Sequence, residues 1–346
     1  MVMATPFLPT LPSLACKPSL SIANPKCISH SVASIRCCHG EIGGIEDGLF
    51  RRDVLKCVGA SIGMGLISSS EPFVQKASAA DLIQRKQRAE FQTKVKRTLS
   101  TAIEKNQELI PSILMLALND AMTYDKATKS GGPNGSIRLS SEMDRPENKG
   151  LTAALSLIND AKKEIDSYSK GGLISYADLI QFGAQSAIKF SFLETAVKRS
   201  GGNRDKGAQL YAAYGSNGQW NLFDKLFGRS DADSPDPEGR IPQWDKASVQ
   251  EMVDKFTAVG FGPRQLAVMS VFLGPDQAAT EAFLSSDPEV AKWVDSYQRS
   301  RKTVSRANYE VDLITAVTKM SSFGRTINYE AYTYAPPKID VSKLKL

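Results

Sequence analysis

Apolar and polar positions recur with a helical period along most of residues 80–346. A period of 3.6 residues is typical of amphipathic helices, and no stretch shows a convincing two-residue alternation of a half-buried strand. The pattern therefore predicts an all-α fold. We predict helices over 80–99, 111–124, 150–165, 179–197, 248–259, 263–274 and 287–320.

Start signals support several of these helices. Pro111 and Pro263 suit the first turn of a helix, where the missing N–H has no partner to lose. Ser175 and Ser248 each stand three residues before an acidic residue, which is the pattern of a capping box. Segment 203–245 carries many Gly and Pro residues and is predicted to be mainly loop. We expect the tail, 327–346, to be extended or poorly ordered.

The N-terminal 46 residues have a different composition from the rest of the chain. Residues 1–40 contain no Asp or Glu and are rich in Ser and Pro. Such a composition is typical of a chloroplast transit peptide. We therefore predict a transit peptide over 1–46, with an ordinary disordered tail as the alternative interpretation.

Residues 47–79 contain the parts of a secretory signal in the usual order. Arg51 and Arg52 form a twin-arginine pattern, an apolar Gly-rich run follows at 57–67, and small residues precede Ala80. We predict cleavage between Ala79 and Ala80, which leaves a helical domain at 80–346. A transit peptide followed by this signal predicts delivery to the thylakoid lumen. A core helix of the folded domain is the alternative for this stretch.

Composition then restricts the chemistry of the mature chain. All five cysteines and both histidines, His30 and His39, precede Ala80. Disulfides, thiol chemistry and imidazole as a base, acid or haem ligand are therefore excluded after cleavage. No apolar run in 80–346 reaches the length of a membrane helix. Residues 1–79 hold seven basic and five acidic residues, so the formal net charge falls from +6 for the whole chain to +4 after cleavage. A charge of +4 permits docking on an acidic surface and gives no indication of nucleic-acid binding.

Four collinear motifs resemble class I haem peroxidases and, among them, ascorbate peroxidases. They lie at 119–126 with 131–138, at 174–179, at 228–229 with 237–242, and at 286–288. The resemblance spans nearly all of 80–346. It implies a haem-peroxidase-like helical fold in two lobes, with a haem b whose iron faces a distal and a proximal helix.

The residues that carry peroxidase chemistry in that family are replaced here. The family uses a proximal His on the iron, a distal His that moves a proton and a distal Arg that stabilises the leaving hydroxide. By register, the distal Arg and His positions are Met115 and Asn119, and the aromatic position between them is Leu118. The proximal His position is Val271.

These replacements predict a family member with no catalytic residue, no cofactor and no metal. Met carries no charge, and Asn cannot accept a proton near neutral pH. We expect Met115 and Leu118, together with Phe272, to fill the former haem crevice as core side chains. Segment 274–287 is too short for the part of the family that carries the reductant site, so the proximal segment is shortened. Asn134 matches the Asn that orients the distal His and is expected to serve as a turn residue.

Similarity to the lumenal, ascorbate-peroxidase-like branch of the family implies a non-catalytic accessory protein. Its implied partner is photosystem II or another lumen-facing thylakoid membrane protein. The association is predicted to be electrostatic, peripheral and without a transmembrane span, and its electrostatic part rests on basic residues at 162–163, 198–199, 299, 301–302 and 306 and on the Lys-rich tail. Two alternatives remain: a haem-dependent ascorbate peroxidase that removes hydrogen peroxide, and a small-molecule binder that uses an emptied haem crevice.

Overall fold

The computed structural model describes residues 73–334, apart from 169, 304 and 305. The predicted transit peptide, Arg51 and Arg52 lie outside the described residues. Twelve α-helices are present in the described part: α1 Phe73–Lys105, α2 Ile110–Met122, α3 Ser140–Met143, α4 Thr152–Asp166, α5 Tyr176–Arg199, α6 Arg204–Ala213, α7 Trp220–Phe223, α8 Val249–Ala258, α9 Pro263–Val268, α10 Gln277–Leu284, α11 Pro288–Lys302 and α12 Ala307–Met320. The described residues contain no strand, only an isolated bridge between Asp125 and Ser130, so the predicted all-α class is confirmed.

The helices pack in two groups that share one hydrophobic core. In the first group, α5 contacts α1, α2, α4 and α6. In the second, α9 contacts α8, α11 and α12. The groups meet where α2 contacts both α12 and a 3-10 turn at Ser270–Phe272, and this arrangement confirms the two-lobed helical fold. No described helix combines the length and apolar character needed to cross a membrane.

The central helix α5 begins with only half of the predicted capping box. The Ser175 hydroxyl accepts a hydrogen bond from the Asp178 backbone N–H at 3.1 Å. The Asp178 carboxylate instead accepts hydrogen bonds from the Gly228 N–H, from the Arg229 guanidinium at 2.8 Å and from the Tyr332 hydroxyl at 2.7 Å. Asp178 and Arg229 thus form a fully buried ion pair that ties α5 to two distant loops.

The loop predicted over 203–245 is wrong in its first half, which contains α6, a 3-10 turn at Gly215–Gln219 and α7. Only Gly207 is buried within α6, so this helix lacks the apolar stripe that would mark it in the sequence. Helix α10 was likewise not predicted. The side chains of Asn203 and Asp276 cap α6 and α10 by accepting backbone N–H groups, and these caps define both starts.

The single helix predicted over 287–320 is two helices, α11 and α12. Arg306 separates them because its φ of +50° is left-handed, a conformation that a right-handed helix cannot continue. Its N–H donates to the Thr303 hydroxyl at 3.2 Å. The break turns α12 back so that it contacts α11.

The prediction of an extended or poorly ordered tail is wrong for residues 327–334, which pack on α1. The Tyr332 ring is buried, with its centroid 5.1 Å from that of Phe91 and 4.5 Å from that of Phe227. The Tyr334 N–H donates to the Gln87 side chain at 3.1 Å. At the N-terminal end of the described residues, the predicted cleavage site at 79–80 lies in α1, and residues 81–86, which follow it, are exposed.

Candidate functional site

The positions predicted to have replaced the distal catalytic pair lie on α2. This helix forms because its sequence is apolar almost throughout and Pro111 occupies its first turn. Leu118 and Asn119 have no solvent exposure. Met115, expected in the core, is only partly buried and packs against the edge of the core.

The position of the proximal ligand lies on the 3-10 turn that follows α9. Phe272 is fully buried there, whereas Val271 is partly buried against the core. Cα atoms of α2 come within 8 Å of Cα atoms of this turn. Helices in direct side-chain contact have axes 8–10 Å apart, so the distal helix and the proximal turn pack on each other directly.

Asn119, at the distal base position, is the centre of a buried hydrogen-bond network. Its amide group donates to the Glu147 carbonyl at 3.0 Å and to the Asn148 side-chain oxygen at 2.8 Å. Its side-chain oxygen accepts from the Trp244 indole N–H at 2.7 Å. The side chain of Asn148 donates in turn to the Glu142 carbonyl at 2.8 Å. Asn119 therefore joins α2 to two loops, and none of these bonds involves a titrating group.

Asn134 has two roles in the structure. Its side-chain oxygen accepts from the Ser136 N–H at 2.9 Å, which is a turn interaction. Its amide also donates to both carboxylate oxygens of Asp236, at 3.1 and 3.2 Å. The Asp236 N–H donates to the Glu142 carboxylate at 2.9 Å. Asn134 thus joins two loops that are 102 residues apart, a role that sequence reasoning missed.

Asp120 is a fully buried carboxylic acid next to Asn119. Neither of its oxygens has a hydrogen-bond partner in normal geometry. Burial raises the pKa of Asp120 well above its usual range, the N–H of Gly135 opposes this rise, and the charges of Glu142 and Asp236 add to it. Sequence reasoning used Asp120 only to set the register. The sequence did contain a signal for a buried acid, because Asp120 lies within the mainly apolar sequence of α2.

A second polar network lies beside the proximal turn. The Ser270 hydroxyl donates to the Glu281 carboxylate at 3.1 Å. Glu281 also accepts two hydrogen bonds from the Arg301 guanidinium, at 2.6 and 2.5 Å. This carboxylate is buried, so its charge is compensated by a two-pronged pair rather than by water. Sequence reasoning missed this network because its members are distributed over α10, α11 and the turn.

Metal binding would need a cluster of ligating side chains, and the small-molecule hypothesis needs a crevice lined by the residues at the predicted positions. Among the described residues, no group of three or more His, Cys, Asp or Glu side chains could hold a metal ion. Open grooves of about 500 and 550 Å³ lie on the surface, one between α1 and α4 and the other beside Tyr124, Arg240 and Lys255. Neither groove is lined by Leu118, Asn119 or Phe272.

Comparison with known proteins gives independent evidence for the family of the chain. Residues 95–274 match the family model described as Peroxidase. The chain is 64% identical to the thylakoid lumenal 29 kDa protein, chloroplastic, of Solanum lycopersicum, over the full length of both. It is 63% identical to the protein of that name in Arabidopsis thaliana, over 92% of each chain. A relative named probable L-ascorbate peroxidase 3, peroxisomal, from Oryza sativa subsp. japonica is 30% identical over 56% of this chain and 54% of its own. The fold is similar to a crystal structure of the TL29 protein from Arabidopsis thaliana, with a TM-score of 0.71 and 68% identity, over 72% of this chain and 99% of that one.

Proposed function

The chain belongs to the peroxidase family, among its thylakoid lumenal 29 kDa members in the chloroplast, and we propose that it is a non-catalytic accessory protein of photosystem II. In this proposal it retains the helical fold of an ascorbate peroxidase and lacks the haem chemistry. It associates with the lumenal face of its membrane partner through charge.

The non-catalytic part of the proposal is supported by the hydrogen bonds of Asn119. Its amide group donates to the Glu147 carbonyl and the Asn148 side chain, and its side-chain oxygen accepts from the Trp244 indole N–H. A distal base must accept a proton from peroxide, and a neutral amide does not do so. At the distal cation position, the uncharged Met115 cannot stabilise a leaving hydroxide.

The side chains present do not fit a haem. Val271 has no atom that can ligate iron, and no residue between 80 and 346 is a histidine. Leu118 and Phe272 are completely buried, and α2 lies against the turn that carries Phe272. A porphyrin between them would have to separate two packed elements of the core. We therefore derive no catalytic step through haem.

The alternative, a working ascorbate peroxidase, makes a different prediction in a rate assay. Mature protein would be incubated with haem and supplied with hydrogen peroxide and ascorbate, beside an ascorbate peroxidase as the positive control. We expect ascorbate oxidation at the rate of free haem alone. A rate that rises with protein concentration above that background would overturn the non-catalytic proposal.

The electrostatic association rests on the positive charge of the chain and on the position of its basic residues. Residues 1–79 hold seven of the 43 Lys and Arg and five of the 37 Asp and Glu, so the mature chain contains 36 basic against 32 acidic residues. Salt reduces the range of such forces from about 10 Å at 0.1 M to about 3 Å at 1 M. A 1 M salt wash of thylakoid membranes should therefore release the protein. Its unchanged retention would contradict this part of the proposal.

The identity of the partner is tested by crosslinking in intact thylakoids. We expect short-range lysine crosslinks between this protein and lumen-exposed subunits of photosystem II. A set of crosslinks confined to other complexes would reject photosystem II and leave the non-catalytic part of the proposal unchanged.

A further inference from the structure

The C-terminal ends of α5 and α11 meet, although they are about a hundred residues apart in the chain. The guanidinium of Arg199, the last residue of α5, donates to the carbonyl of Arg301 in α11. It also donates to the carbonyl of Thr303, just after α11. Two runs of basic residues that are separate in the sequence therefore form one surface.

This surface, here called the basic cluster, consists of Lys198, Arg199, Arg299, Arg301 and Lys302. Arg301 is paired with the buried Glu281. Lys198, Arg299 and Lys302 are exposed and form no ion pair with any described residue. The cluster therefore carries more positive charge than the acids around it compensate.

Stabilisation of the two helix C-termini explains only part of this positive charge. A helix C-terminus favours a nearby cation because of its dipole, but the effect is limited to the last turn and to about half an elementary charge. Two helix ends thus account for about one of the exposed cations. Like charges held together also repel one another, so their juxtaposition costs stability in the free protein. A partner of opposite charge would relieve that cost.

We propose that the basic cluster is the surface through which the chain docks on a carboxylate-rich face of its lumenal protein partner. The inference rests on the proposed electrostatic association and names its site. Arg299 is the exposed arginine of the cluster, and its planar fork matches a carboxylate group with two parallel hydrogen bonds, while Lys198 and Lys302 add positive charge beside it.

The cluster fits an acidic protein surface better than a lipid surface. A protein element that lies on a membrane normally adds large apolar side chains to its basic ones. None of the large exposed apolar side chains of the described residues belongs to the C-terminal turns of α5 and α11; they are Leu82, Ile83, Tyr168, Leu173, Leu222, Phe283 and Tyr329. The cluster offers charge and hydrogen-bond donors without an insertion anchor.

The test compares two double charge reversals that change the net charge equally. Lys198→Glu with Lys302→Glu changes the cluster, and Lys126→Glu with Lys149→Glu is the matched control at two other exposed lysines. Lys126 lies in the same loop as Gly135. Gly135 packs closely on the start of α5, since a Cβ added to it would lie 2.8 Å from the backbone nitrogen of Ala177. That end of the 24-residue helix is about 35 Å from the cluster.

Each mature protein is added back to salt-washed inside-out thylakoid vesicles, which expose the lumenal face, over a range of concentrations, and the bound fraction is measured. We expect the wild type and the control to rebind with similar affinity and the cluster variant to bind at least about tenfold more weakly. Lys198→Gln with Lys302→Gln removes charge without reversing it and should give an intermediate loss. Thermal unfolding checks that all variants are folded, and the Gln pair decides the question if the Glu pair is not.

The outcomes separate this inference from the proposed function. If the wild type rebinds in a salt-sensitive way and the cluster variant matches the control, the cluster is not the docking site while the association stands. If the wild type fails to rebind, or rebinds equally in 1 M salt, the electrostatic association itself fails. Cluster-dependent binding to protein-free vesicles of anionic thylakoid lipid would overturn the choice of a protein partner.

Discussion

Replacing Asn119 with Ala tests whether this residue, at the predicted distal base position, has a structural role. The substitution removes three hydrogen bonds at once, to Glu147, Asn148 and Trp244. Two of them are fully buried, so the Trp244 N–H and the Asn148 side-chain oxygen would lose their partners away from water. A side chain that merely filled space would leave no such unsatisfied groups.

The expected loss follows from those two groups. Each buried donor or acceptor that loses its partner costs about 1–3 kcal/mol, and admission of a water to the small cavity would recover part of that. We expect Asn119→Ala to lower the free energy of unfolding by about 3–4 kcal/mol. For a domain of this size, 1 kcal/mol corresponds to roughly 2–4 °C, so the Tm should fall by about 10 °C.

The assay is urea unfolding of the mature protein, with Asn217→Ala as the control. Asn217 is exposed on a 3-10 turn, so its substitution should change the free energy of unfolding by less than about 0.5 kcal/mol. Trp244→Phe removes the indole donor, and combined with Asn119→Ala it should cost at least about 1 kcal/mol less than the sum of the single changes. Equal stability of the Asn119→Ala and Asn217→Ala proteins, or strict additivity of the pair, would refute the structural role.

Three other substitutions test buried polar groups. Asp120→Asn should be more stable than wild type, by a margin that grows as pH rises above about 4. Burial raises the folded-state pKa of Asp120 above its unfolded-state pKa, so the wild type loses stability as pH rises from the unfolded-state pKa through the folded-state pKa. A constant difference in the free energy of unfolding between about pH 4 and 8, measured by urea unfolding, would show that this reasoning is wrong. Arg229→Met should cost about 3–5 kcal/mol by leaving the buried Asp178 charge without its cation. Asp178→Asn with Arg229→Met removes that charge and keeps an acceptor for the Gly228 N–H and the Tyr332 hydroxyl, so it should recover part of the loss in the same assay. Tyr332→Phe should cost about 1–2 kcal/mol through the lost bond to Asp178, and a change below about 0.5 kcal/mol would mean that this bond contributes nothing to holding the 327–334 segment.

Helical period and start signals predicted the helices whose faces are clearly divided between core and solvent. Helix α4 is one example, and the Ser248 cap that opens α8 is another. Helices α6 and α10 have few buried positions, so the period that reveals an amphipathic helix is weak in them. The break at Arg306 also could not be predicted, because helical sequence flanks it on both sides. Tertiary surroundings hold it: its guanidinium lies over the rings of Phe192 and Tyr309.

The site was predictable in position and not in detail. Resemblance to peroxidases gave the register of Met115, Leu118, Asn119 and Val271, which the sequence alone does not single out. The partners of Asn119 could not be predicted, since Trp244 is 125 residues away and only the fold brings the two together. The basic cluster depends in the same way on two helix ends that meet in space.

Whether this peroxidase fold binds haem is decided by titrating mature protein with haem while recording the Soret band, beside a haem-free ascorbate peroxidase treated identically. We expect a saturable, stoichiometric band for the ascorbate peroxidase and only the spectrum of free haem for this protein. A sharp Soret band that saturates at one haem per chain of this protein would contradict this expectation.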